Sequence, residues 1–130
     1  MEQNNTNAGA KLLFLLRQQR YLYHQLKDLT ERQQKLAGSG SPELLLGIIS
    51  GRRKLVGKLE ELSDKLRPIK ANWKKIACQI GPEHKTQAHE TVNQIKEIIG
   101  RITAVVPAET AQNLPLYQDW RFDELFAETQ

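Results

Sequence analysis

Three stretches of this chain place large aliphatic residues at alternating steps of three and four, and that spacing dictates helices. In the first stretch Leu15, Leu22, Leu26, Leu29 and Leu36 keep the rhythm, with Gln19 and Gln33 filling the gaps. In the second, Leu45, Ile48, Arg52, Leu55, Leu59, Leu62, Leu66, Ile69, Trp73, Ile76 and Ile80 follow without a slip. The third runs through Ala88, Val92, Ile95, Ile99, Ile102 and Val106. Residues three and four apart share one face of an α-helix, so each stretch carries an apolar stripe that must be buried against another element. A strand would need alternation by two, which none of these stretches shows.

The breaks between the stripes set the element boundaries. Gly38-Ser39-Gly40 ends the first helix, and Ser41-Pro42 supplies an N-cap followed by a proline at the first helical position. Gly81-Pro82 ends the second, and Pro107 stops the third. The expected helices are therefore about 8–36, 41–80 and 82–105, behind a frayed polar segment, MEQNNTN. Pro68 interrupts the second stripe and is expected to kink that helix or end it near Leu66. Short connections make neighbours antiparallel, so the fold class is all-α: an elongated antiparallel three-helix bundle, kinked at Pro68. Counting back from the turns places Leu12–Leu16, Leu62–Leu66 and Ile95–Ile99 at one level. There the apolar residues surround helix 1, Phe14 included, as if two helices sandwich it. Towards Leu36, helix 1 is expected to have only helix 2 beside it.

Charge divides the chain differently. Residues 1–106 carry 18 Lys and Arg against 10 Asp and Glu, whereas 107–130 carry one Arg against five acids. The acidic tail also holds four of the eight aromatics: Tyr117, Trp120, Phe122 and Phe126. Asp119 can cap a short helix that places Phe122, Leu125 and Phe126 on one face. So short a helix does not stand alone in water, and it either docks on the bundle or orders on a partner. Leu116, Tyr117, Trp120, Phe122, Leu125 and Phe126 are accordingly expected to bind a protein partner. Packing on the chain's own bundle is the alternative.

Catalysis finds little purchase. The lone Cys78 excludes a disulfide framework and a cysteine zinc site; Lys74 and Lys75 nearby can lower its pKa, but a small buried or half-buried residue is expected there ahead of a nucleophile. His84 and His89 are five apart, too far around a helix to chelate one metal, and no glycine-rich phosphate loop follows a strand. Glu60, Glu61 and Asp64 read as a solvated helix face. No enzyme, cofactor or metal is expected. The basic series Arg52-Arg53-Lys54, Lys58, Lys65, Arg67, Lys70, Lys74 and Lys75 lacks interleaved aromatics beyond Trp73, so nucleic-acid binding ranks below a solvated face. The longest large apolar run, Leu12–Leu16, is too short to span a bilayer, and a cytoplasmic protein without membrane insertion is expected. Arg52 stands in the middle of its stripe. It either snorkels or sets register, or its guanidinium awaits a partner's carboxylate. Gly47 and Gly51 flank it and permit either a close helix approach or plain exposure.

The segment LLLGIISGRRKLVGKLEELSDKLRP, residues 44–68, places an apolar run before a basic step and then leucines at 59, 62 and 66. With the leucine-seamed first helix and the third helix, it resembles the FlgN family of flagellar export chaperones over about residues 10–106. The resemblance implies a small cytoplasmic helical protein that binds hook-associated (filament-junction) subunits before type III export. It implies no catalytic or ligand residues. It further implies that the C-terminal region binds partners, with Tyr117 a contact for the export machinery. Two other readings remain open: a coiled-coil adaptor that dimerises through the far ends of helices 1 and 2, and a basic helical nucleic-acid-binding protein. The chain is expected as a monomer or homodimer.

Overall fold

The computed structural model describes residues 2–36 and 41–105, which form α1 (Glu2–Leu36), α2 (Pro42–Ala71), the short α3 (Trp73–Ala77) and α4 (Pro82–Val105). No strand occurs among the described residues. The long helices run up, down and up. Gly9 lies beside His84 and Arg20 bonds Gln94, so α4 is parallel to α1. Arg52 bonds Gln33, whereas Leu22, three turns earlier on α1, shares a cleft with Lys58 and Leu62 further along α2, so α2 is antiparallel to α1. The expected boundary at 106–107 and everything beyond it lie outside the described residues.

α1 begins at Glu2, ahead of the expected start at Ala8, because nothing in residues 2–7 breaks a helix. At α2, Pro42 takes the first helical position behind Ser41, where its missing N–H costs nothing. Pro68 does not end the helix near Leu66. Helical turns pass through it to Ala71, and the break falls at Asn72. Asn72 leaves helical geometry at φ −110° and ψ 27°. Its backbone N–H and its side-chain Nδ2 both donate to the Pro68 carbonyl, each at 3.1 Å. The Asn72 carbonyl in turn accepts from Lys75 and Ile76 and so starts α3. A single amide residue thus closes one helix and opens the next, four residues after the proline.

This break changes the level of α4. Residues 72–81, with α3 inside them, act together as the connection, so α2 effectively folds back before Gly81. From the Gly9–His84 and Arg20–Gln94 pairs, Leu12–Leu16 stand level with roughly Gln87–Thr91. The expected level, Ile95–Ile99, is about two turns too far along α4.

α1 is the common member of the bundle. It packs along both α2 and α4, whose backbones scarcely approach each other. All three stripes still meet in one core: Leu12, Leu16, Tyr23 and Leu26 from α1, Leu59, Leu62 and Leu66 from α2, and Val92, Ile95 and Ile102 from α4. Trp73 and Ile80 join it from the connection. Burying each such side chain contributes about 2 kcal/mol. The buried Thr30 and Thr91 hydroxyls are satisfied within their own helices: Thr30 donates to the Leu26 carbonyl and Thr91 to the Gln87 carbonyl, both at 2.8 Å.

The buried residues of α1, from Leu29 round to Leu13, cover roughly half of its circumference. The other half is a solvent-facing crest. Phe14 sits on that crest and is 60% exposed, against the expectation of apolar burial all round. Two neighbours fixed on one side of a helix cannot also cover its back.

Candidate partner-binding surface

Six of the seven residues expected to bind a partner, Leu116, Tyr117, Trp120, Phe122, Leu125 and Phe126, lie outside the described residues. The seventh, Arg52, is half-buried between α1 and α2. Its Nη1 donates to the Gln33 amide oxygen at 2.6 Å, while its Nε is buried with no hydrogen-bond partner. Burial draws its pKa below the ordinary guanidinium value by desolvation, and it remains charged at neutral pH. Gln33 fills a gap in the α1 seam and Arg52 a gap in the α2 stripe, so the two polar residues pair in one layer. That geometry favours register setting over a guanidinium held open for a partner.

The glycines beside it divide. A Cβ on Gly51 would stand 3.2 Å from Leu29 Cδ1, so α1 and α2 are close there, whereas Gly47 faces open space.

The apolar surface left uncovered lies in two places. Leu44 and Leu46, at the start of α2, are 59% and 65% exposed, with Leu45 half-buried between them. Three successive leucines on a helix fan out over some 200°, so one neighbouring helix cannot take them all. That signal stands in the sequence, and reading Leu45 alone as the stripe residue passes over it. The second place is the α1 crest, where Phe14 and Tyr21, two turns apart, are both exposed.

Clefts flank the crest. One, of about 540 Å³, lies between α1 and α4 and is walled by Arg17, Arg20, Lys27 and Arg101 together with Tyr21 and Ile98. Arg20 Nη1 donates to the Gln94 amide oxygen at 2.6 Å, and Arg101 pairs with Glu97 at 3.8 Å. Arg17 has no ion-pair partner among the described residues. On the rim, Lys27 and His24 both reach Asp28, at 3.8 and 3.5 Å. The other cleft, of about 350 Å³ between α1 and α2, is walled by Tyr21, Leu22, Leu62, Lys58, Lys65 and Glu61. Tyr21 therefore belongs to both, and its hydroxyl accepts from Gln25 Nε2 at 3.0 Å.

The remaining chemistry-bearing residues are dispersed. Among the described residues no three His, Cys, Asp or Glu side chains gather where a metal ion could sit. Cys78 is exposed, against the expected burial. His84 packs against Gly9. Arg53, Lys54, Lys58, Lys65, Arg67, Lys74 and Lys75 are exposed, and Asp64 pairs with Arg67 at 2.8 Å. Among the described residues no helix is long and apolar enough to cross a membrane. Comparison with protein-family models, with curated proteins and with solved structures returned no match.

Proposed function

We propose that this chain is a protein-binding chaperone of the FlgN kind, which covers a terminal helix of a hook-associated subunit before type III export. The observation that carries the reading is four large apolar side chains left open on an otherwise well-packed helical bundle, Leu44 and Leu46 at the start of α2 and Phe14 and Tyr21 on the α1 crest. Open apolar surface of this kind suits an amphipathic helix from another polypeptide. The mechanism is physical. Sticky helices that would polymerise early are shielded by leucine-rich surface, and the aromatic residues of 107–130 add anchors. Release follows when the export machinery competes for the same contacts, and Tyr117 is the contact assigned to that machinery.

The test is binding of the purified full chain to purified hook-associated subunits, followed by titration calorimetry. Trp120→Ala with Phe126→Ala is expected to weaken binding at least tenfold while the helical circular dichroism stays unchanged. Absence of binding to any hook-associated subunit removes the reading. The exposed Leu44–Leu46 patch also favours a second reading, an adaptor that dimerises through the α1–α2 end. A dimer in sedimentation that persists on dilution and is lost in Leu44→Glu with Leu46→Glu supports that alternative.

A further inference from the structure

We propose that the cationic cleft between α1 and α4 is the docking site of the chain's own acidic segment, residues 107–130. The argument begins with charge. The cleft wall presents Arg17, Arg20, Lys27 and Arg101 against Glu97, which Arg101 engages, and Asp28 on the rim, which Lys27 reaches, so cations outnumber carboxylates two to one and Arg17 has no ion-pair partner among the described residues. The α1–α2 cleft carries two lysines and one glutamate, a smaller excess of positive charge and no arginine. Residues 107–130 carry Glu109, Asp119, Asp123, Glu124 and Glu128 against Arg121. Opposite charges brought into a partly desolvated groove attract more strongly than on an open surface.

Apolar matching comes next. Tyr21, 63% exposed, and Ile98 form the apolar part of the cleft wall. The tail pattern puts Phe122, Leu125 and Phe126 on one helical face with acids beside them. An acidic amphipathic helix is thus the chemistry that both the floor and the rim select.

Reach and local concentration complete the argument. α4 ends at Val105, and Ile98 lies about 10 Å back along the same helix. Residues 107–118 can extend to about 40 Å, ample to turn and lay the aromatic stretch along the cleft. A tethered segment competes at millimolar effective concentration, which an external helix must exceed. The inference concerns the isolated chain and stands apart from the export reading.

Disulfide trapping in the full-length chain tests it. In a Cys78→Ser background, Ala127→Cys is combined with Glu97→Cys in the cationic cleft, or with Glu61→Cys in the α1–α2 cleft. Both glutamates are exposed. Intramolecular disulfide is expected to form at least tenfold faster with position 97 than with 61. Arg17→Glu with Arg101→Glu, or 1 M salt, is expected to erase that preference. Equal rates, a preference for position 61, cross-links only between molecules, or a preference for 97 that survives both treatments would each overturn the proposal. The third outcome assigns the cleft to a second copy of the chain. Equal rates leave it to a different polypeptide.

Discussion

Glycines and polar seam residues decide how closely the helices meet. A Cβ on Gly9 would lie 2.6 Å from Nδ1 and 3.1 Å from Cβ of His84, and the latter atom cannot swing away. Gly9→Ala is expected to cost about 1 kcal/mol net of helix propensity, and His84→Ala in the same chain, which removes the ring but keeps Cβ, to recover part of that loss. Gly57→Ala and Gly100→Ala, which meet nothing within 4 Å, are expected to stabilise by about 0.5–1 kcal/mol each. Urea midpoints check all four variants, and a stabilising Gly9→Ala would refute the contact. In the Gln33–Arg52 layer, Gln33→Leu deprives the guanidinium of the Gln33 acceptor and is expected to cost about 1 kcal/mol. The double variant with Arg52→Leu should match or exceed the native chain in urea, because an apolar pair replaces a desolvated cation. That Arg52 interrupts the stripe was legible from spacing alone. Its partner was not, because counting back from the 38–41 turn sets Leu26 opposite Arg52, and Gln33 lies two turns further along α1.

At the scale of the helix, Pro68 and Asn72 share one task. Proline removes the N–H that would bond the Asp64 carbonyl, and Asn72 gathers two donors onto the Pro68 carbonyl to finish the turn. Pro68→Ala is expected to restore the missing bond and raise stability by about 1–2 kcal/mol without moving the break, since Asn72 still holds its own geometry. Denaturation reads the first effect and amide exchange at Asn72–Ile76 the second. Helix identity and the stripes were readable because one period ran through each segment. The break was misplaced because proline is the loud local signal, and asparagine in bridging geometry leaves no trace in periodicity. The displaced level of α4 follows from that one residue, since a connection ten residues long folds back at its middle and not at its terminal glycine.

Across the molecule, α1 takes part in the packing of both other long helices. Leu16, fully buried, is expected to lose about 3–4 kcal/mol on truncation to alanine, with all helices melting together. Phe14→Ala, at an exposed position, is expected to change stability by less than about 0.5 kcal/mol. A calorimetric scan distinguishes one transition from two, and a separate melting of α4 would contradict the shared core. The all-α bundle and nearly every core position could be read in advance. The exposed crest could not, because hydrophobicity marks Phe14 as strongly as Leu16, and only the placement of both neighbours on one side separates them. Tyr21 stands on that crest as the party wall of two troughs. A guest that tilts the phenol to deepen its own berth narrows the one next door, so the two sides of α1 are rivals for a single ring, and occupancy on one flank is felt on the other without any helix having to move.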